Sequence, residues 1–333
     1  MNDITQFQGD YFSGFKMLRL LGQGGNGVVY QAHQLAIGRV TACKILYPEF
    51  ANDPVYTNNF VREARLAARM EHPNIIQALD VGCDENLYYF EMEYVPGCSL
   101  EKVRTDNPEK ITLLFLLNIS IALADALDYA WQKFHIFHGD IKPDNLMLRS
   151  SDSMLKLADL GLAKIVGADD LTGEIMATPL YAAPEVITAD AANIGIKSDI
   201  YSFGIMLYEL VSGDAPFKGN IDTVLQKHLD EIPPPLASIA PDIDRTFTAT
   251  VDRMISKAPD KRPQDWAEIK KNFQLIKERI QNTPACRKPL HKPASYLRKK
   301  KNALPFKQIA GTVSAIVTLL ILALLLFFIF REI

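Results

Sequence analysis

The stretch His138-Gly139-Asp140-Ile141-Lys142-Pro143-Asp144-Asn145 decides how this chain is read. Asp159-Leu160-Gly161 follows, with Asp159 fourteen positions after Asn145. Between them lie Leu146-Met147-Leu148, a polar turn from Ser150 to Ser153, and Leu155-Lys156-Leu157-Ala158. Short apolar runs separated by a polar turn predict a loop, a strand, a turn, a second strand, and a loop that opens on an acid. Such a hairpin gathers Asp140, Asn145 and Asp159 near one another. Those groups suit phosphoryl transfer. One carboxylate can orient an attacking hydroxyl, an Asn and an Asp offer the hard oxygens Mg2+ prefers, and Lys142 adds positive charge. A solvated, turn-forming loop would account for Asp140 to Asn145 alone. It does not account for an acid-Leu-Gly at this distance.

Upstream, Tyr11 to Leu21 leads into Gly22-Gln23-Gly24-Gly25-Asn26-Gly27-Val28-Val29-Tyr30. A dinucleotide-binding fingerprint of this spacing would open a helix. Here β-branched and aromatic residues follow, which predicts a glycine-rich hairpin between two strands. Glycines let backbone N–H groups approach phosphates. Val40 to Leu46 reads as a strand, in which Lys44 would ordinarily be the exposed position. Thr57 to Met70 reads as a helix, with Phe60, Ala64, Ala67 and Ala68 at helical spacing. Glu63 within it reads at first as a solvated helical acid. His72-Pro73-Asn74-Ile75-Ile76 stops that helix and is expected to start another strand. Leu87 to Val95 reads as a strand that breaks at Pro96-Gly97, a natural lobe boundary. Ile111 to Ala130 is an apolar helix, and Asn118, Asp125 and Asp128 argue against its spanning a membrane. Ile269 to Ile280 is the last globular helix.

Taken in order, these stretches resemble the eukaryotic-type (Hanks-type) protein kinases. His138 to Asn145 is similar to H-R-D-x-K-P-x-N, and Asp159-Leu160-Gly161 to D-F-G. Gly22, Gly24, Gly27 and Val29 match G-x-G-x-x-G-x-V, and Lys44 matches the lysine of V-A-I-K. Ala183-Pro184-Glu185 matches A-P-E, and Ser198 to Gly204 resembles a D-x-W-S-x-G helix start. The resemblance covers about residues 11–280. It implies an α+β, bilobal fold: a β-rich N-lobe over residues 11–95 and a helical C-lobe over 96–281.

The same resemblance implies a site for ATP and Mg2+, with Mn2+ as an alternative ion. ATP would contact Leu21, Gly22, Gly24, Gly27, Val29, Ala42, Lys44, Met92, Glu93, Val95 and Met147. Lys44 would hold the α- and β-phosphates, with Glu63 supporting it. Asn145 and Asp159 would bind the metal. Asp140 would accept the proton of a substrate hydroxyl, Lys142 would stabilise the γ-phosphate charge, and Thr178 would bridge Asp140 and Lys142. Asp199 is expected to cap a helix and bond the catalytic-loop backbone, and Arg262 to pair with Glu185. Lys142 fits the serine/threonine class, so the implied substrates are protein Ser and Thr hydroxyls. Two other readings keep the fold. A pseudokinase scaffold would lack Lys44, Asp140 or Asp159, and all three are present. A small-molecule kinase is disfavoured by Thr178 and Ala183-Pro184-Glu185.

The net charge of −3 is unevenly spread. Residues 282–308 hold eight Lys and Arg and no acid, and Arg331 cancels Glu332, which leaves −11 on residues 1–281. An acidic body excludes nucleic acid as its expected partner. Pro and basic residues predict a juxtamembrane linker over 282–308. Ile309 to Phe330 is an uncharged run of 22 residues, long enough for one C-terminal transmembrane helix. Basic residues on its N-terminal side orient the body to the cytoplasm. The expected protein is therefore a single-pass, tail-anchored membrane protein whose partners include the lipid bilayer; a homodimer is left open. Met1 to Asp10 is polar, with no basic start and no apolar run, so no signal peptide is expected there. Cys43, Cys83, Cys98 and Cys286 have no paired spacing and read as reduced thiols. The motif wording is most like that of the bacterial membrane-anchored kinases.

The chain departs from the family pattern at a few positions. Leu160 replaces Phe, Ala177 replaces a Gly, and Ala67 and Ala78 are small where larger apolar residues often stack behind the helical Glu. Gly139 stands where most such kinases have Arg. That Arg pairs with a phosphorylated activation-segment residue. Activity is therefore expected to depend only weakly on phosphorylation of Thr172. A Thr172→Ala variant should retain most of its phosphotransfer activity, and loss of activity in a variant that stays folded would contradict this.

Overall fold

A computed structural model describes residues 4–159, 164–165 and 178–290. The expectations about Leu160, Gly161, Thr172, Ala177, the linker beyond 290 and the apolar run 309–330 lie outside these residues. The N-lobe is built on strands β1 (Tyr11–Phe12), β2 (Phe15–Gln23), β3 (Gly27–Gln34) and β4 (Arg39–Leu46). Helix α1 (Pro54–Ala68) and strands β5 (Ala78–Asp84) and β6 (Leu87–Glu93) follow. The six strands form one antiparallel sheet in the order β1-β2-β3-β4-β6-β5. Its register sets Lys44 opposite Val29 on β3 and Phe90 on β6. Lys44 is thus on a central strand, not an edge. Gly27 must lack a side chain, because a Cβ there would lie 2.1 Å from the Ile45 carbonyl oxygen.

Helix α1 starts three residues earlier than its periodicity predicts. Pro54 occupies its first turn, where a missing N–H costs nothing, and the Asp53 carboxylate accepts from Val55 N–H at 2.8 Å. The strand expected at Ile75-Ile76 begins only at Ala78; Ile75 instead bridges Leu157 and Ile76 N–H donates to the Leu157 carbonyl. The strand expected to reach Val95 ends at Glu93.

The C-lobe opens with β7 (Gly97–Ser99), α2 (Leu100–Asp106), α3 (Leu113–Phe134) and β8 (Ile136–Phe137). Then come the hairpin β9 (Leu146–Arg149) and β10 (Leu155–Leu157), and β11 (Lys164–Ile165). The remaining helices are α4 (Pro184–Ile187), α5 (Ile196–Ser212), α6 (Ile221–Asp230), α7 (Leu236–Ile239), α8 (Arg245–Met254) and α9 (Trp266–Ile280). The hairpin follows the expected boundaries and adds β7 as a third strand. Helix α3 is long and apolar enough to cross a bilayer, yet it packs on α9, and its Leu116, Leu117, Leu123 and Ala124 are fully buried in the C-lobe core. It runs to Phe134, four residues further than predicted, and stops at His135, whose φ of 53° gives a left-handed cap.

Two terminal segments pack where none was expected. Ile4 and Phe7 are buried against Phe15, Met17 and Tyr30 on the N-lobe sheet. Tyr30 Oη donates to the Ile4 carbonyl and accepts from Phe7 N–H, so the polar-looking start of the chain is a strap. Residues 284–290, expected as linker, fold back onto the C-lobe: Cys286 is buried and Leu290 N–H donates to the Ile111 carbonyl at 2.9 Å.

Helix α6 carries a buried histidine. His228 Nδ1 accepts from Tyr201 Oη at 2.9 Å, while its Nε2–H donates to the Leu180 carbonyl at 3.1 Å. Burial and the nearby Lys257 charge push its pKa down to about 4 from 6.5. The unfolded chain therefore binds a proton that the folded chain refuses between those pH values, and the stability this neutral ring contributes is lost as pH falls from about 6.5 towards 4. At pH 5 the loss should be about 2 kcal/mol relative to pH 7.5. Urea unfolding at both pH values checks this: His228→Phe should be less stable at pH 7.5 but lose about 2 kcal/mol less on acidification. An unchanged pH dependence would contradict the assignment.

Candidate active site

The charged side chains of the site come mainly from β4, α1, the loop from His138 to Asn145 and the end of β10. The loop is fixed first. The Asp199 carboxylate, fully buried in the first turn of α5, accepts from His138 N–H at 2.6 Å and Gly139 N–H at 2.8 Å. Burial raises its pKa to about 6, against the pull of His138 and those two donors. Of the two expectations for Asp199, the bond to the loop backbone holds, while the N-cap of α5 is Gly195. Gly139 has φ of 82°, the left-handed region where a side chain is strained. The glycine found in place of Arg therefore suits the backbone it occupies.

His138 continues the chain of bonds. Asp140 N–H donates to its Nδ1 at 3.2 Å, so Nε2 carries the proton and donates to the Ala158 carbonyl at 3.1 Å. Ala158 N–H in turn donates to the Asn145 carbonyl at 2.9 Å. The loop and the end of β10 are thus locked together immediately before Asp159.

Around Asp140 the expected groups meet. Its Oδ1 accepts from Thr178 Oγ1 at 2.6 Å, and its Oδ2 lies 2.5 Å from Lys142 Nζ. Lys142 Nζ also donates to Thr178 Oγ1 at 2.9 Å, which closes the bridge read from the sequence. Asn145 Nδ2 donates to the Asp140 carbonyl at 2.8 Å and to its Oδ2 at 3.2 Å. With its amide nitrogen so fixed, Asn145 keeps its oxygen as the atom available to a cation.

A second charge cluster centres on Lys44. Lys44 Nζ donates to both oxygens of Glu63 at 2.9 Å and to Asp159 Oδ1 at 3.4 Å. The plain readings, an exposed strand Lys and a solvated helical Glu, are wrong: their side chains are 16% and 7% exposed. Burial opposes the Lys44 charge, but two neighbouring carboxylates outweigh it and hold its pKa above the usual range. For Glu63, burial and the Asp159 charge prevail over Lys44 and raise the pKa to about 7. Asp159 has φ of 59°, a conformation costly for a non-glycine residue and typical of functional positions.

A cleft of about 310 Å3 adjoins these charges. Of the residues expected to touch ATP, Leu21, Gly22, Val29, Ala42, Lys44, Met92, Glu93, Val95 and Met147 line it. Gly24 and Gly27 do not: Gly24 N–H donates to the Gly27 carbonyl within the hairpin turn, and Gly27 packs on β4. Ala67, singled out by sequence only as a small residue behind Glu63, also lines it, as do Ile76, Phe90, Tyr94, Asp144, Leu157 and Ala158, which were not expected to. The apolar, alternating pattern of Leu155 to Ala158 was the available signal for the last two. Apolar walls with an ammonium and a carboxylate at one end fit a nucleotide base and its phosphates. Asn145 and Asp159 fit Mg2+, which takes one or two protein oxygens plus phosphate oxygens.

Below the site, Arg262 and Glu185 form the pair expected from sequence, at 2.7 and 2.9 Å. All five guanidinium donors are used, the others on the carbonyls of Ser256, Lys197 and Lys257.

Residues 15–274 match the family model described as protein kinase domain. The chain belongs to that family. The kinase domain is 34% identical over 271 residues to a probable serine/threonine-protein kinase of Clostridium acetobutylicum, covering 80% of this chain and 40% of that protein. It is 34% identical over 256 residues to the serine/threonine-protein kinase PrkC of Bacillus subtilis, covering 75% and 38%. The chain thus spans about two fifths of the length of these relatives. Among solved structures, the PknI kinase domain of Mycobacterium tuberculosis superposes with a TM-score of 0.64 at 28% identity, covering 80% of this chain and 98% of that one. The bilobal kinase fold, with its β-rich and helical lobes, is therefore established.

Proposed function

We propose that this chain is a serine/threonine protein kinase that transfers the γ-phosphate of ATP to protein Ser and Thr hydroxyls. The observation that carries this is the closed set of bonds among Asp140, Lys142 and Thr178. Asp140 is held so that its carboxylate can accept a hydrogen bond, and then the proton, from a substrate hydroxyl. Lys142, beside it, offsets negative charge developing on the transferred group. Lys44, oriented by Glu63, would bind the α- and β-phosphates, and the apolar cleft would hold the base. Asn145 and Asp159 would hold Mg2+, which supplies charge neutralisation on the phosphate oxygens. The chain's own contribution is positioning and electrostatics, as phosphoryl transfer requires. The names of the bacterial relatives support the serine/threonine class. Nothing in the site favours the scaffold alternative, since Lys44, Asp140 and Asp159 are mutually positioned, not merely present.

The reading extends to the membrane. The uncharged run Ile309 to Phe330, preceded by eight basic residues, supports anchoring with the kinase domain on the cytoplasmic face. The basic stretch would add about 1 kcal/mol of attraction per Lys or Arg close to anionic headgroups.

Transfer of 32P from ATP with Mg2+ by the full chain, followed by phosphoamino-acid analysis, tests the activity. Label should appear on Ser or Thr, and Asp140→Asn and Lys44→Met should each reduce it about 10²- to 10⁴-fold. Label on tyrosine, or label that survives Asp140→Asn, would contradict the proposal.

A further inference from the structure

Lys156 is the middle residue of β10, and no step of the chemistry above uses it. Leu155 and Leu157 are buried in the C-lobe core, so the pleat turns Lys156 to the opposite face. There it is only 7% exposed. An ammonium in such a place is costly unless it is paired. Its Nζ donates to Glu93 Oε2 at 2.8 Å. The same oxygen accepts from Gln77 N–H at 3.4 Å, and Glu93 N–H donates to the Gln77 carbonyl at 2.9 Å.

The two ends of this pair belong to facing walls of the nucleotide cleft. Glu93 ends β6 and, with Val95, lines one wall; Leu157, Ala158 and Asp159 line the other. Just past the interlobe connection, backbone groups tie the chain to the same hairpin: Ser150 N–H donates to the Pro96 carbonyl at 2.8 Å, and Gly97 pairs with Arg149. Just before it, an ion pair does the tying. Backbone bonds also link the two walls, but indirectly, from Leu157 to Asn74 and Ile76 and from Gln77 on to Glu93; the ion pair is the direct tie between Glu93 and β10.

We propose that Lys156 is a positioning residue for the nucleotide: through Glu93 it sets the separation between the peptide groups at residues 93–95 and the strand that carries Asp159. This rests on reading the cleft as the MgATP site. A base bound at one wall and phosphates bound at the other span a fixed length. A connection free to drift would hold one end or the other, but not both. Because the Glu93 side chain is 29% exposed, loss of Lys156 would let the carboxylate turn to water instead of staying on β10.

The test compares the full chain with Lys156→Met, Glu93→Gln and the double variant, by calorimetric titration with MgATP and by steady-state phosphotransfer. Lys156→Met should raise the dissociation constant and KM for ATP about tenfold while kcat falls less than about threefold. Glu93→Gln should do the same, and the double variant should be no weaker than either single one, because the two act as one unit. If Lys156→Met does not fold, Glu93→Gln carries the same expectation. A purely structural role would lower Tm and leave KM for ATP at the wild-type value, and that result would overturn the proposal while leaving the MgATP site intact. A wild-type chain that binds no MgATP would overturn the reading of the cleft itself, and this inference with it.

Discussion

One ammonium group, Lys44 Nζ, lies between two carboxylates that reach it from different parts of the fold. Each partner demands something of the chain. Lys44 must sit on a central strand, which requires the β3-β4-β6 register and the glycine at 27 that lets β3 close on β4. Glu63 must face inward, which requires α1 to pack on the sheet through Phe60, Ala64 and Ala67. Asp159 must reach up from the C-lobe, which requires β10 to end where it does. The cluster has more acid than base and is partly buried, so it is poised to receive further positive charge. Mg2+ would supply it at Asp159, with phosphate oxygens completing the shell.

The second lobe is organised around a different buried charge. Asp199 has no ion-pair partner among the described residues and is satisfied by two backbone N–H groups of the catalytic loop. It therefore fixes the loop's path and not one side chain. His138 then carries the constraint across to Ala158, and Asn145 receives it back from Ala158. Asp140 and Asp159 thus have their relative positions set by backbone bonds, while Thr178 and Lys142 aim the Asp140 carboxylate. Arg262 and Glu185 do comparable work below, with every guanidinium donor used and no exposure of the arginine. Sites that act by electrostatics need such rigidity, because a group that must reorganise during reaction stabilises little.

Much of this was legible in the sequence because the demands are local. A glycine-rich turn between strands, a Pro-Asp-Asn turn before a short strand, and an Ala-Pro-Glu helix start each declare their own geometry. Lys44 and Glu63 are the instructive pair. Residue by residue, both read as solvated charges, and only their order among the other motifs gave them a role. What stayed hidden depends on distant contacts. Ile4 and Phe7 look incidental until Tyr30 is found beneath them, and residues 284–290 read as linker until Leu290 meets Ile111. Asp199 was legible only through the motif that placed it on the catalytic loop, since the two N–H donors it accepts from lie about sixty residues away in sequence. Lys156 was hidden for the same reason: strand alternation told which face it takes, but not that Glu93 waits there.

The central claim is that the Lys44, Glu63 and Asp159 cluster forms the phosphate and metal end of a nucleotide site. Calorimetric titration of ATP into the wild-type chain and Asp159→Asn, each with and without Mg2+, tests it most directly. The account predicts that Mg2+ strengthens ATP binding to the wild type and that this gain disappears in Asp159→Asn, while the variant still binds the metal-free nucleotide. A gain from Mg2+ that persists without the Asp159 carboxylate, or ATP binding to the wild type that Mg2+ leaves unchanged, would contradict it.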